Sequence, residues 1–169
     1  MGSNQGPEPA PRRLSLLYQL YLANQAARGL MRATMAGTGM SGEEYALHSY
    51  LYANGPRTLT QAAGDLGMPI TTLATLLAPS IERGEVEKAP HPSDRRARLL
   101  RLSDAGRERL EAAIPAFSAG YRAVLEVLEK DQVDVEQLYA AIATMRAAIQ
   151  DAAERLAEVR AEGPAAAGE

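Results

Sequence analysis

Apolar positions recur along most of this chain at helical spacing, and one stretch alternates as a strand does. Leu14, Leu17, Tyr18, Tyr21 and Leu22 fall on one face of a helix predicted from Leu14 to about Ala36, ended by Gly37 and Gly39. Ser41-Gly42-Glu43-Glu44 reads as a capping box, with Ser at the N-cap and Glu three residues on. It opens a second helix to about Tyr52, which presents Tyr45, His48, Leu51 and Tyr52 before Asn54-Gly55-Pro56 stops it. Thr60 is expected to cap a short third helix ending at Leu66. Gly67-Met68-Pro69 is a turn, and a fourth helix runs from about Ile70 to Glu82 with Gly84 at its C-terminal end. Val86 to Ala89 and Ala97 to Leu102 then read as two antiparallel strands. Leu100 and Leu102 point to one side of the ribbon and Arg101 to the other.

Two long helices follow. Leu110, Ile114, Phe117, Tyr121, Val124 and Leu128 recur at steps of four and three in a helix from near Ser103 to about Lys130. Pro115 lies inside it and is expected to kink or locally break it. Leu138, Ile142, Met145, Ile149, Ala152, Leu156 and Val159 form a heptad seam on a sixth helix, from about Val135 to Arg160. Such a seam packs along another helix, in a second copy or in the same chain. The predicted fold is mainly α. A winged helix-turn-helix lobe of three to four helices and a two- or three-stranded wing carries long N- and C-terminal dimerisation helices. The expected boundaries are a disordered tail (1–13), N-terminal helices (14–57), the winged core (58–103), C-terminal dimerisation helices (104–161) and a second tail (162–169).

Composition narrows the chemistry. The 169 residues suffice for one domain with its own core. Net charge is −3, so a nucleic-acid argument has to rest on local charge. Basic residues outnumber acidic ones between Arg57 and Leu110, and the reverse holds from Glu111 onward. The absence of cysteine excludes disulfides, thiol redox sensing and thiolate metal sites. No apolar run approaches the ~20 residues of a membrane span, so no membrane partner and a cytoplasmic location are expected. No acid–base pair, nucleophile set, metal cluster or phosphate loop stands out. The expectation is a non-enzyme with no cofactor.

The segment from Thr58 to Ser103 carries the functional signal. A helix-turn-helix needs a small residue in its first helix, a Gly in the turn and an apolar residue facing back from the second. Ala63, Gly67 and Leu73 meet that need, backed by Leu66, Leu76 and Leu77. The ribbon that follows has Arg95, Arg96 and Arg98 at and just past its tip. Such a tip suits insertion into a narrow minor groove, where the potential is most negative. Asp94 is placed to pair with one of these arginines and hold it. The paired Arg12 and Arg13 are a weaker candidate for phosphate contact.

Asp94-Arg95-Arg96, followed by Leu102-Ser103-Asp104-Ala105-Gly106, resembles the wing and following helix start of MarR-type regulators. The Gly84-Glu85-Val86 turn and the long flanking helices fit as well, and the resemblance covers about Leu14 to Arg160. It implies a dimer with two winged lobes that binds double-stranded DNA, most often as a repressor at a near-palindromic operator. It also implies a small effector, often phenolic or otherwise aromatic, between the lobe and the dimerisation region. By position, Arg96 matches the wing arginine and Asp94 its partner. Thr71, Thr72 and Thr75 fall on the exposed start of the recognition helix, and Thr60 and Gln61 where the preceding helix approaches phosphate. Met35, Tyr45, His48 and Tyr52 are the candidate effector-site residues, from a wider aromatic and Met set that also includes Tyr18, Tyr21, Met31 and Tyr121. Two departures stand out. The recognition helix has no basic residue before Arg83, and Pro79 lies inside it. Three threonines lack the bidentate guanine contact of Arg, so readout is expected to lean on the wing and on DNA shape. A protein-interaction module or antirepressor on the same fold stays open.

Overall fold

The structure is a computed structural model that describes residues 15–162. The first expected tail, Leu14 and the Arg12-Arg13 pair lie outside the described residues, as does 163–169. Six helices and three strands follow in the order α1 (Leu16–Met35), α2 (Gly42–Asn54), β1 (Arg57–Thr58), α3 (Leu59–Leu66), α4 (Ile70–Glu82), β2 (Val86–Pro90), β3 (Arg98–Leu102), α5 (Asp104–Lys130) and α6 (Val135–Glu162). The architecture is mainly helical with one small antiparallel sheet of order β1-β3-β2. Glu162, assigned by sequence to the tail, instead ends α6.

Local chemistry sets the boundaries. Ser15 caps α1, its Oγ accepting the Tyr18 N–H at 3.3 Å. The expected box at α2 is closed in both directions: Glu44 N–H donates to Ser41 Oγ at 3.1 Å, and Ser41 N–H to Glu44 Oε2 at 2.8 Å. At α3 the cap is Thr58, not Thr60. The Gln61 N–H donates to Thr58 Oγ1 at 3.1 Å, and Gln61 Oε1 accepts the Thr58 N–H at 2.9 Å. This reciprocal pair satisfies two amides, which a start at Thr60 would leave open. Thr58 also belongs to β1, paired with Leu99 of β3, so the third strand abuts α3 directly.

Both internal prolines are carried without ending their helices. Each removes one N–H that would have bonded the carbonyl four residues earlier. Pro79 and Thr75 are exposed, as are Pro115 and Glu111, so water can take up the freed carbonyls. α5 runs through Pro115 as one helix, so the expected local break is absent.

The core of the lobe is built as the helix-turn-helix pattern requires. Leu73 is fully buried, with Ala62, Ala63 and Leu77 around it and Val86, Leu100 and Leu102 contributed by the sheet. Gly67 sits in the left-handed region at φ 63°, and the turn closes with Met68 N–H donating to the Ala63 carbonyl at 3.0 Å. Strand register places Val86 opposite Leu102 and Lys88 opposite Leu100, so Leu100 and Leu102 face inward while Arg101 stays outside on Glu87 at 2.8 Å. The α6 seam stays open to solvent within the chain: Ile142 is 50% exposed and Leu156 61%. Leu16, Leu17, Tyr18 and Tyr21 of α1 are exposed as well. No described helix is long and apolar enough to cross a membrane.

Candidate nucleic-acid interface

The wing tip is a built loop. His91 Nδ1 accepts the backbone N–H groups of Ser93 and Asp94 at 3.3 and 3.2 Å. Asp94 Oδ1 accepts the Arg96 backbone N–H at 2.8 Å. This corrects the expected pairing of Asp94 with a guanidinium. A carboxylate in a tight turn reaches the amide two residues on at little conformational cost, and here that bond wins. The consequence for the tip is favourable, because the guanidinium groups of Arg95 and Arg96 stay outside any salt bridge among the described residues. Both side chains are exposed, as is Arg98, whose Nη1 lies 3.4 Å from the Arg95 carbonyl oxygen.

Between the wing and α4 lies a cleft of about 470 Å³. Leu59, Ala74, Leu77, Ala78, Ile81 and Leu100 form its apolar floor, and Lys88, Arg96, Arg98, Thr58 and Thr60 stand around it with Glu82. The structure thus brings Thr60, Arg96 and Arg98 to one place, while Arg95 projects at the tip outside this cleft. Lys88 was missed by sequence reasoning. Strand alternation from buried Val86 would have put it on the side of β2 that faces the recognition helix.

On α4, Thr71, Thr72 and Thr75 are all exposed. The Thr75 hydroxyl donates to the Thr71 carbonyl at 3.0 Å, which leaves its lone pairs and methyl outward. Pro69 caps α4 without a side-chain hydrogen bond, so the first amides of this helix have no protein cap. Gln61 is exposed next to Thr60. Its Oε1 is committed to the α3 capping box, but its amide N–H₂ makes no hydrogen bond among the described residues. The one arginine at the end of α4, Arg83, is turned away from this face into ion pairs with Glu44 and Glu85.

A second cavity, of about 770 Å³, opens between α1, α2 and α5. Met31, Tyr45, Met68 and Phe117 wall it, with Arg28, Arg32 and Glu43 at its polar side. Tyr45 stacks on Phe117 with ring centroids 4.6 Å apart. Arg28 is held by Glu43 at 2.7 Å, whereas Arg32 has no carboxylate partner among the described residues. Of the four candidate effector residues only Tyr45 lines this cavity. Met35 and His48 are sealed in the core, and Tyr52 is 57% exposed. Helical spacing groups Tyr45, His48 and Tyr52 along α2, with Met35 on α1, but burial is decided by which elements cover each of them.

No protein-family model matches the chain, and no curated protein does. Solved structures do. A probable transcriptional regulator from Pseudomonas aeruginosa superposes with a TM-score of 0.68 at 26% identity, over 78% of this chain and 97% of that one. The transcriptional repressor CouR, bound to a 23-mer DNA duplex, gives 0.68 at 26% identity, over 78% and 92%. Bordetella bronchiseptica BpsR, described with regulation of its DNA binding by 6-hydroxynicotinic acid, gives 0.58 at 18%, over 74% and 98%. Wild-type MarR from E. coli is among the similar structures too, at 0.63. With its helix-turn-helix, three-stranded wing and long flanking helices, this chain has the fold of the MarR-family transcriptional regulators.

Proposed function

We propose that this protein is a ligand-responsive transcriptional regulator that binds double-stranded DNA as a homodimer and acts as a repressor at a near-palindromic operator. The observation that carries the reading is the basic cleft. Arg96, Arg98 and Lys88 line it together with Thr60 and the Ala74, Ala78 and Ile81 side of α4, and Arg95 extends the tip. Phosphates fit the open amides at the start of α4, the Thr60 hydroxyl and the Gln61 side-chain N–H₂, and the wing arginines fit a minor groove. Thr71, Thr72 and Thr75 offer hydroxyls and methyl groups to base edges, thymine methyls included. With Arg83 tied back, sequence readout falls to the wing and to DNA shape.

The exposed seam of α6, with the exposed face of α1, supports a second copy of the chain as the dimer partner. Two lobes on successive major grooves would stand roughly 34 Å apart. The cavity between α1, α2 and α5 supports a small aromatic or phenolic effector. Met31, Met68 and Phe117 offer apolar walls, the Tyr45 hydroxyl a hydrogen bond, and Arg32 a cation without a carboxylate partner among the described residues.

Binding is tested by anisotropy titration on a duplex selected from a random-sequence pool. Replacing Arg95 and Arg96 by Ala should weaken the complex by ~1–3 kcal/mol if either inserts, and should flatten its salt dependence. Unchanged affinity refutes the wing assignment. Failure to select any duplex, with capture of a protein partner, favours the interaction-module reading.

A further inference from the structure

Behind the DNA-facing surface lies an ionised cluster that the reading above does not use. Glu85, at the root of the wing, is its hub. Its backbone ties α4 to α5: the Glu85 N–H donates to the Ser80 carbonyl at 2.8 Å, and its own carbonyl accepts the Ser103 N–H at 3.0 Å. Its carboxylate takes Arg83 Nε and Nη2 at 2.8 and 3.0 Å, and Arg109 Nη1 of α5 closes on the same oxygen as Nε. Arg83 also grips Glu44 of α2, and Arg109 donates to the Gly39 carbonyl between α1 and α2. Two guanidinium groups and two carboxylates therefore balance across the recognition helix, the wing root, α2 and α5.

His48 of α2 sits against this cluster and is fully buried. Its Nε2 lies 3.7 Å from Glu85 Oε2, too far for a hydrogen bond, and neither ring nitrogen has a partner among the described residues. The ionisable groups facing it are Glu44 from its own helix, Glu85 and Arg83 from the end of α4 and the turn after it, and Arg109 from α5. Burial holds its pKa below the ordinary imidazole value of 6.5, against the pull of Glu85 and Glu44. A proton added here would place a third positive charge among two negative ones. It would also make Nε2 a donor aimed at the carboxylate that now secures both arginines.

We propose that His48 is a proton-operated latch on the DNA-binding lobe: neutral, it leaves Glu85 to Arg83 and Arg109 and keeps recognition helix and wing seated together, and protonated, it unseats them and weakens DNA binding. The inference rests on the DNA-binding reading above. The sign follows from linkage. The seated arrangement excludes the proton, so its stability is complete above about pH 6.5 and is lost as pH falls below that value. DNA that selects the seated arrangement and protons that select the unseated one must oppose each other.

The test measures affinity for the selected duplex from pH 7.5 to pH 5.5, for the unaltered protein and for His48→Leu. The unaltered protein should lose affinity toward pH 5.5 by up to about tenfold per unit for each latch, and His48→Leu should lose less. His91, in the wing, is present in both proteins, so the comparison isolates His48. Equal pH slopes overturn the latch while leaving the DNA reading intact, and no binding at any pH overturns both. Should His48→Leu fail to fold, the His48 ring-proton titration by NMR in the unaltered protein decides the matter. Added duplex has to lower its pKa, and an unchanged or raised value overturns the proposal.

Discussion

Gly106 offers the sharpest stability test, because two effects of known size oppose each other there. It lies in the first turn of α5 and is buried under the wing root. A Cβ at this position would stand 2.1 Å from the Glu85 carbonyl oxygen and 3.0 Å from the carbon that bears it. Helix propensity alone favours Ala over Gly by about 1 kcal/mol. Against that, the Glu85 carbonyl has to retreat by roughly 1 Å to restore an ordinary contact. It currently accepts bonds from the Ser103 N–H and from Ser103 Oγ at 3.0 and 3.2 Å, and such a shift strains both. Overpacking a tight site costs about 1–3 kcal/mol, and each hydrogen bond lost adds about 1 kcal/mol. Gly106→Ala should therefore destabilise the protein by about 3 kcal/mol net of the helical gain. In urea unfolding at fixed protein concentration, that should lower the midpoint by about 1–2 M with little change in slope. Gly64→Ala is the control. Gly64 lies inside α3 with open space where its Cβ would go, so only the helical gain remains and stability should rise by up to about 1 kcal/mol. Equal or greater stability of Gly106→Ala would refute the reasoning, since the wing root would then have no fixed seat on α5.

Two further outcomes are expected. Replacing Ile142 and Ile149 on α6 by Glu should convert a dimer to a monomer in light scattering, with the lobe's helical circular dichroism retained; a variant that stays dimeric would place the interface elsewhere. Tyr50 donates to Asp65 at 2.5 Å, and burial first, then Asp65, raises its pKa to about 12. The stability that Tyr50 contributes is thus complete below pH 10 and lost as pH climbs toward 12. Spectrophotometric titration should show a late tyrosine step that Tyr50→Phe removes, and no change in that step would contradict the assignment.

The lobe was legible in the sequence because its signals are local. Ala63, Gly67 and Leu73 lie within a short span, and the alternation of Leu100, Arg101 and Leu102 is set by strand geometry alone. The Thr58 cap was legible and was missed: Thr58-Leu59-Thr60-Gln61 has the capping-box spacing used at Ser41, whereas Thr60 has Ala63 three residues on. Distant partners were not legible at all. His48 read as one of several aromatic positions on α2, yet its environment is made by Arg83, Glu85 and Arg109, which folding brings in from two other elements. Asp94 shows the converse. Its place at the wing tip was read from sequence, but the competition between a guanidinium and a backbone amide is settled by turn geometry.

The shortness of β1 has a consequence for how the lobe opens. Its two residues pair with Leu99 and Leu100 of the wing, and Thr58, the second of them, is also the cap from which α3 springs. Fraying of α3 at its start therefore breaks a ladder rung, and peeling the ladder uncaps the helix. Amide hydrogen exchange should then report the wing and the first helix of the turn motif as one cooperative unit, with exchange free energies that rise and fall together across Arg57 to Gln61 and Leu99 to Leu100.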